Sequence, residues 1–220
     1  HRFPREAGVP FGFNVLEEHE RDGMLLEARE ATLAAGLRGE GEAGAVETLF
    51  GLMSDFQIET AIVEALNQQR TLRRILPHRR LAKRELRKLV GDVGSIEEVR
   101  GEIADGYALS AEDHAAIFAL AQPDPSGTDF VDRLSQIDPN RPDPDALLDA
   151  FLTQADRTAR KTLLKKATAS RIPDVAARVA AEGARLEQMC RKLVAAELVA
   201  RSEAMLDIVG AISARYERAK

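Results

Sequence analysis

An all-α fold, a multi-helix bundle of about eight or nine helices with a long C-terminal helix, is predicted by three observations. Apolar residues recur at intervals of three and four along most of the chain. No segment between turn signals shows the apolar-polar alternation, rich in Val, Ile, Thr and aromatics, that strands require. Residues 174–218 contain no proline.

Residues 1–13, HRFPREAGVPFGF, form an expected extended arm, because two prolines and two glycines prevent a helix while Phe3, Phe11 and Phe13 need somewhere to dock. A helical region over 14–121 follows. Asn14 with Glu17 reads as a capping box opening a helix to about residue 36, with Gly23 as a point where it bends or divides into two shorter helices. After the loop LRGEGEAG, Val46, Leu49, Phe50 and Met53, then Ile58, Ile62, Val63 and Leu66, mark the core stripes of two helices. Pro77 marks a boundary, and Leu81, Leu86, Leu89 and Val90 are expected to face inward from a helix ending near Gly91. Ser95 with Glu98 and Ser110 with Asp113 repeat the N-cap signature.

Residues 122–145 read as a Pro/Asp-rich connector around a short helix bearing Phe130, Val131, Leu134 and Ile137, and as the expected hinge. Long helices over 146–220 are expected to pack on the helical region. The first starts at Asp143-Pro144 and runs past Leu164; the second follows Pro173. An unbroken helix over 174–218 would be about 67 Å long, against about 45 Å for the diameter of a compact globule of this length. It must break near Gly183 or Gly210, or offer the face of Leu186, Met189, Leu193, Val194, Leu198, Met205, Ile208 and Ile212 to another helix.

Several kinds of chemistry are disfavoured. The single cysteine, Cys190, excludes an internal disulfide and reads as a small buried hydrophobe. His1, His19, His78 and His114 lack the spacing that sets two metal ligands on one helix face, and no serine lies in a nucleophile elbow. His114 reads as a surface or half-buried residue. Gly39, Gly41 and Gly44 spell GxGxxG, but a helix precedes them and Glu40 and Glu42 would repel a phosphate. No catalytic, cofactor-binding or metal residues are therefore assigned, and neither a cofactor nor a small-molecule ligand is expected. A site assembled from distant helices leaves no spacing signature, so an enzyme stays an open alternative.

The strongest charge feature is the basic segment 70–88. Arg73, Arg80, Lys83, Arg84, Arg87 and Lys88 are its candidate contacts to an anion or nucleic acid, although no aromatic residue interleaves them. A solvated or internally paired face is the simpler reading. The leading expectation for function is a non-enzymatic helical protein-interaction module, an adaptor, assembly factor, chaperone or regulator. It would bind a protein or self-associate through Phe3, Phe11, Phe13, Met205, Ile208 and Ile212. The alternative is a nucleic-acid-binding regulator. No run approaches the roughly 18 apolar residues of a membrane span. With one cysteine a reducing, cytoplasmic location is expected, though the chain opens at His1 and a targeting segment ahead of it stays open.

Overall fold

A computed structural model describes residues 18–121 and 129–219. These form eleven α-helices and one 3-10 turn, with no strand among the described residues beyond one isolated bridge between Leu152 and Ala159. The all-α prediction holds, including the long C-terminal helix. No described helix is long and apolar enough to cross a membrane. The arm 1–13, the Asn14–Glu17 capping box and residues 122–128 lie outside the described residues.

The chain divides into two units. The first contains residues up to Lys83 together with Arg201 onward; the second is Arg84–Ala200. The hinge expected at 122–145 is not where this division falls. Residues 129–145 belong to the second unit, and Phe130, Val131, Leu134 and Ile137 are buried in its core.

In the first unit, α1 (Glu18–Leu37) packs on α2 (Ala43–Leu52), which leads through Ser54 into α3 (Asp55–Asn67). Gly23 does not divide the helix: α1 is continuous there. The close approach of α1 to α2 depends on Gly36, where a Cβ would lie 2.4 Å from Val46 Cγ2. Ser54 caps α3 with Gln57 in a reciprocal pair of hydrogen bonds. The core holds Val46, Leu49, Ile58 and Ile62 from these helices, as the spacing predicts, together with Ile208 and Ile212. Phe50 and Val63 are exposed instead, because each stripe is wider than the face its helix buries. After α4 (Gln69–Ile75) a 3-10 turn over Leu76–His78 accommodates Pro77, and α5 (Arg79–Val90) begins. Neither α4 nor α5 has a buried residue. Leu81 and Leu89, expected to face inward, are 47% and 86% exposed.

In the second unit, Ser95 and Ser110 open α6 (Ile96–Asp105) and α7 (Ala111–Phe118) with the predicted capping boxes. The one-turn α8 (Phe130–Leu134) is capped by Asp129 and packs against α9 (Pro144–Phe151), whose Asp143 cap accepts from the amides of Asp145 and Ala146. The expected helix past Leu164 ends instead at Phe151. Thr153 turns the chain back through hydrogen bonds to Asp156 and Thr158, and Arg157 takes a left-handed φ of 54°. Arg160 then folds over the end of α9, its Nε donating to the Ala150 carbonyl at 3.1 Å and its backbone N–H to that of Phe151 at 3.0 Å. These donors satisfy carbonyls that a longer helix would have bonded itself. A single turn, α10 (Lys166–Ala169), precedes the last helix.

That helix, α11 (Pro173–Ala219), is unbroken over 47 residues and passes both Gly183 and Gly210 without interruption. Its length is about 70 Å. Its residues to Ala200 pack in the second unit, burying Val179, Leu186, Cys190, Leu193 and Ala196. Those from Arg201 pack in the first.

Candidate functional site

Two surface features of the first unit and one buried cluster of the second carry the chemistry. The basic surface is built by α4, the 3-10 turn and the start of α5. Pro77 stands in the 3-10 turn, and Arg70, Arg73, Arg74, Arg79 and Arg80 on either side of it are exposed. Asp207 of α11 receives two of the cations: Lys83 Nζ donates to Oδ2 at 2.5 Å, and Arg79 Nε stands 4.0 Å from Oδ1. On the remainder of α5, Arg84 and Lys88 pair with Glu85, whose carboxyl the Lys88 ammonium holds below the usual range. Arg70, Arg73, Arg74 and Arg80 make no side-chain hydrogen bond or ion pair with another described residue. Internal pairing thus accounts for Lys83, Arg84 and Lys88 of the six sequence-level candidates, and leaves Arg73 and Arg80 facing solvent; Arg87 is also held by an interaction.

Beside the α2–α3 corner lies an open groove of about 460 Å³, lined by Met53, Arg201, Ser202, Met205 and Leu206. The corner itself projects Phe50 and Phe56, the latter 77% exposed. A lining of three flexible apolar side chains together with Arg201 suits an apolar side chain accompanied by negative charge.

In the second unit, α7 buries His114 against Tyr107. The Tyr107 hydroxyl lies 2.7 Å from His114 Nε2, and their rings meet edge to face. Burial pushes the Tyr107 pKa up, helped by the charges of Glu182 and Asp113, and burial pushes that of His114 down against the pull of Asp113. Both shifts keep the pair uncharged. Asp113 accepts from Arg178 Nη2 at 2.5 Å and from the Ser110 amide at 3.1 Å. The Arg178 hydrogen bond is the main reason its carboxyl titrates low. Glu182, buried in α11, takes two hydrogen bonds from Arg185, at 2.7 and 3.0 Å. Arg185 in turn donates to the Ile103 and Glu102 carbonyls at the end of α6, and a Cβ on Gly106 would sit 2.7 Å from its Nη1. Each ionisable group has its partner inside the unit. The arrangement ties α6 and α7 to α11 rather than presenting a reactive atom.

No protein family, no curated protein and no solved structure matches this chain.

Among the described residues no group of three or more His, Cys, Asp or Glu side chains gathers where a metal could bind. Cys190 is buried, as its setting in LEQMCRKLV predicts, and burial raises its thiol pKa. Of the sequence-level partner contacts, Phe3, Phe11 and Phe13 lie outside the described residues, and Met205 lines the groove. Ile208 and Ile212 are corrected: both are fully buried in the core of the first unit, so they hold the fold and offer no surface. His114 is likewise buried rather than on the surface. The sequence gives no sign of the Tyr107–His114 pair, because the loop joining α6 to α7 sets that contact. Phe56 lies two residues after the cap residue Ser54, in the first turn of α3, where periodicity leaves its facing open.

Proposed function

We propose that this chain is a non-enzymatic helical interaction module, of the kind that serves as an adaptor, assembly factor, chaperone or regulator. The observation that carries this reading is the apolar groove of Met53, Met205 and Leu206 beside the exposed Phe50 and Phe56. Large aromatic side chains left in water at a helix corner, next to a methionine-lined groove, are what a partner's apolar side chains bury. The test is native mass spectrometry of the affinity-purified full chain and of a Phe56→Asp/Met205→Lys variant shown to be folded by circular dichroism. A stoichiometric protein partner that the variant loses supports the module. A partner equally retained by the variant, or none with either form, overturns it.

A second reading, a nucleic-acid-binding regulator, is favoured by Arg70, Arg73, Arg74 and Arg80, which lack acidic partners among the described residues. Four phosphate contacts predict a salt slope near −3.6, a loss of roughly a hundredfold in affinity between 50 and 200 mM salt. Fluorescence anisotropy with a labelled duplex measures it, and an Arg73→Glu/Arg80→Glu variant that binds as well as the parent removes this reading.

A further inference from the structure

The first unit separates its charges along the chain. Residues 18–67 carry eleven acidic side chains and three basic ones, whereas residues 68–83 carry six basic side chains and no acidic one. Within α1–α3, Glu27, Glu30, Glu47, Asp55 and Glu64 are exposed and form no ion pair with another described residue. Arg70, Arg73, Arg74 and Arg80 are exposed and equally unpaired among the described residues. The two blocks belong to one unit, yet none of the ion pairs shown between described residues joins them: Arg29 pairs with Glu59 inside the acidic block, and Arg79 and Lys83 turn to Asp207 of α11. Each block also carries exposed apolar side chains, Leu26, Phe56 and Val63 among the acids and Leu81 beside the arginines.

We infer that the partner of the arginine face is a second copy of this chain, with Arg70, Arg73, Arg74 and Arg80 of one copy set against the acidic, apolar-bearing face of α1 and α3 of the next. This rests on the interaction-module reading and names its partner. Like charges crowded on one surface repel one another, and a neighbour that brings the opposite sign relieves both surfaces at once. The chain supplies both signs on different helices, so every copy is complementary to every other. Because the two faces differ, the contact is head to tail: a pair leaves one acidic and one basic face unused, and growth continues with concentration unless the rotation closes a ring. Burial of Phe56, Val63 and Leu81 adds the apolar contribution that charge alone lacks at physiological salt.

Sedimentation velocity of the purified full chain, alone, over a hundredfold range of concentration tests this. The expected result is a mean mass that rises with concentration at 50 mM NaCl, and an association constant at least tenfold smaller at 300 mM, where screening shortens the reach of the charges. Arg73→Glu/Arg80→Glu and Glu27→Arg/Glu64→Arg should each be monomeric while keeping the parental circular dichroism. An equimolar mixture of the two should associate again, because the reversed faces match each other. A monomeric parent at 50 mM NaCl, association indifferent to salt, or a mixture that stays monomeric overturns the inference. A parent that stays monomeric yet shifts on addition of duplex DNA also overturns it, and leaves the second reading above standing. A Met205→Lys variant alters the groove and leaves Phe56 and both charged faces in place, so loss of a foreign partner by that variant is separable from loss of self-association.

Discussion

His114 and Tyr107 show how two residues can make the whole protein sensitive to pH. The folded state holds the imidazole neutral, with its pKa pushed below the ordinary value, so the unfolded chain binds more protons as pH falls. The His114 contribution is therefore present above about pH 6.5 and is lost on acidification below it. Tyr107 works at the other end: its raised pKa means the unfolded chain ionises first, and stability falls as pH rises past about 10. Urea denaturation across pH should show both limbs, with His114→Gln flattening the first and Tyr107→Phe the second. Gly36 makes a steric prediction at the same scale. Gly36→Ala forces a Cβ into Val46 and should cost about 1–3 kcal/mol, read as a lower denaturation midpoint with an unchanged slope.

At the scale of elements, short polar signals decide where helices start, and a distant arginine decides where one of them stops. Ser110→Ala removes the hydroxyl that receives the Asp113 amide and should destabilise by about 1 kcal/mol. The loss should exceed that of Ser95→Ala, since Asp113 also holds Arg178, whereas Glu98 makes no ion pair with another described residue. Helix α9 ends because Arg160 reaches back to its last carbonyls. Arg160→Ala should therefore raise amide exchange in the last turn of α9 and through 152–165, with the first turn protected by Asp143 unaffected. Long α11 survives two glycines because packing on both stretches outweighs a propensity cost of about 1 kcal/mol at each.

For the whole molecule, the consequence is a first unit assembled from both parts of the described chain, with a second unit of consecutive residues between them. Each has its own apolar core, one around Leu49, Ile62 and Ile208, the other around Ile103, Ile117 and Phe151. Ile62→Ala should cost about 2–5 kcal/mol and raise hydrogen exchange in 18–83 and 201–219, whereas Ile117→Ala should do so in 84–200. Uniform loss of protection from either substitution would show a single cooperative core instead.

Sequence alone determined the helical class, the caps at Ser95, Ser110 and Asp143, the breaks at Pro77 and Pro173, and a long last helix, because these follow from local propensity and from hydrogen bonds spanning three or four residues. Tertiary structure decided which apolar stripes are covered. Ile208 and Ile212 read as surplus surface until α1–α3 are seen to cover them, whereas Leu81 and Leu89 read as core and stand in water. The end of α9 at Phe151 and the burial of His114 against Tyr107 belong with these, since both depend on partners that local pattern does not select. Burial is a property of what packs against a face, and periodicity reports only that a face exists.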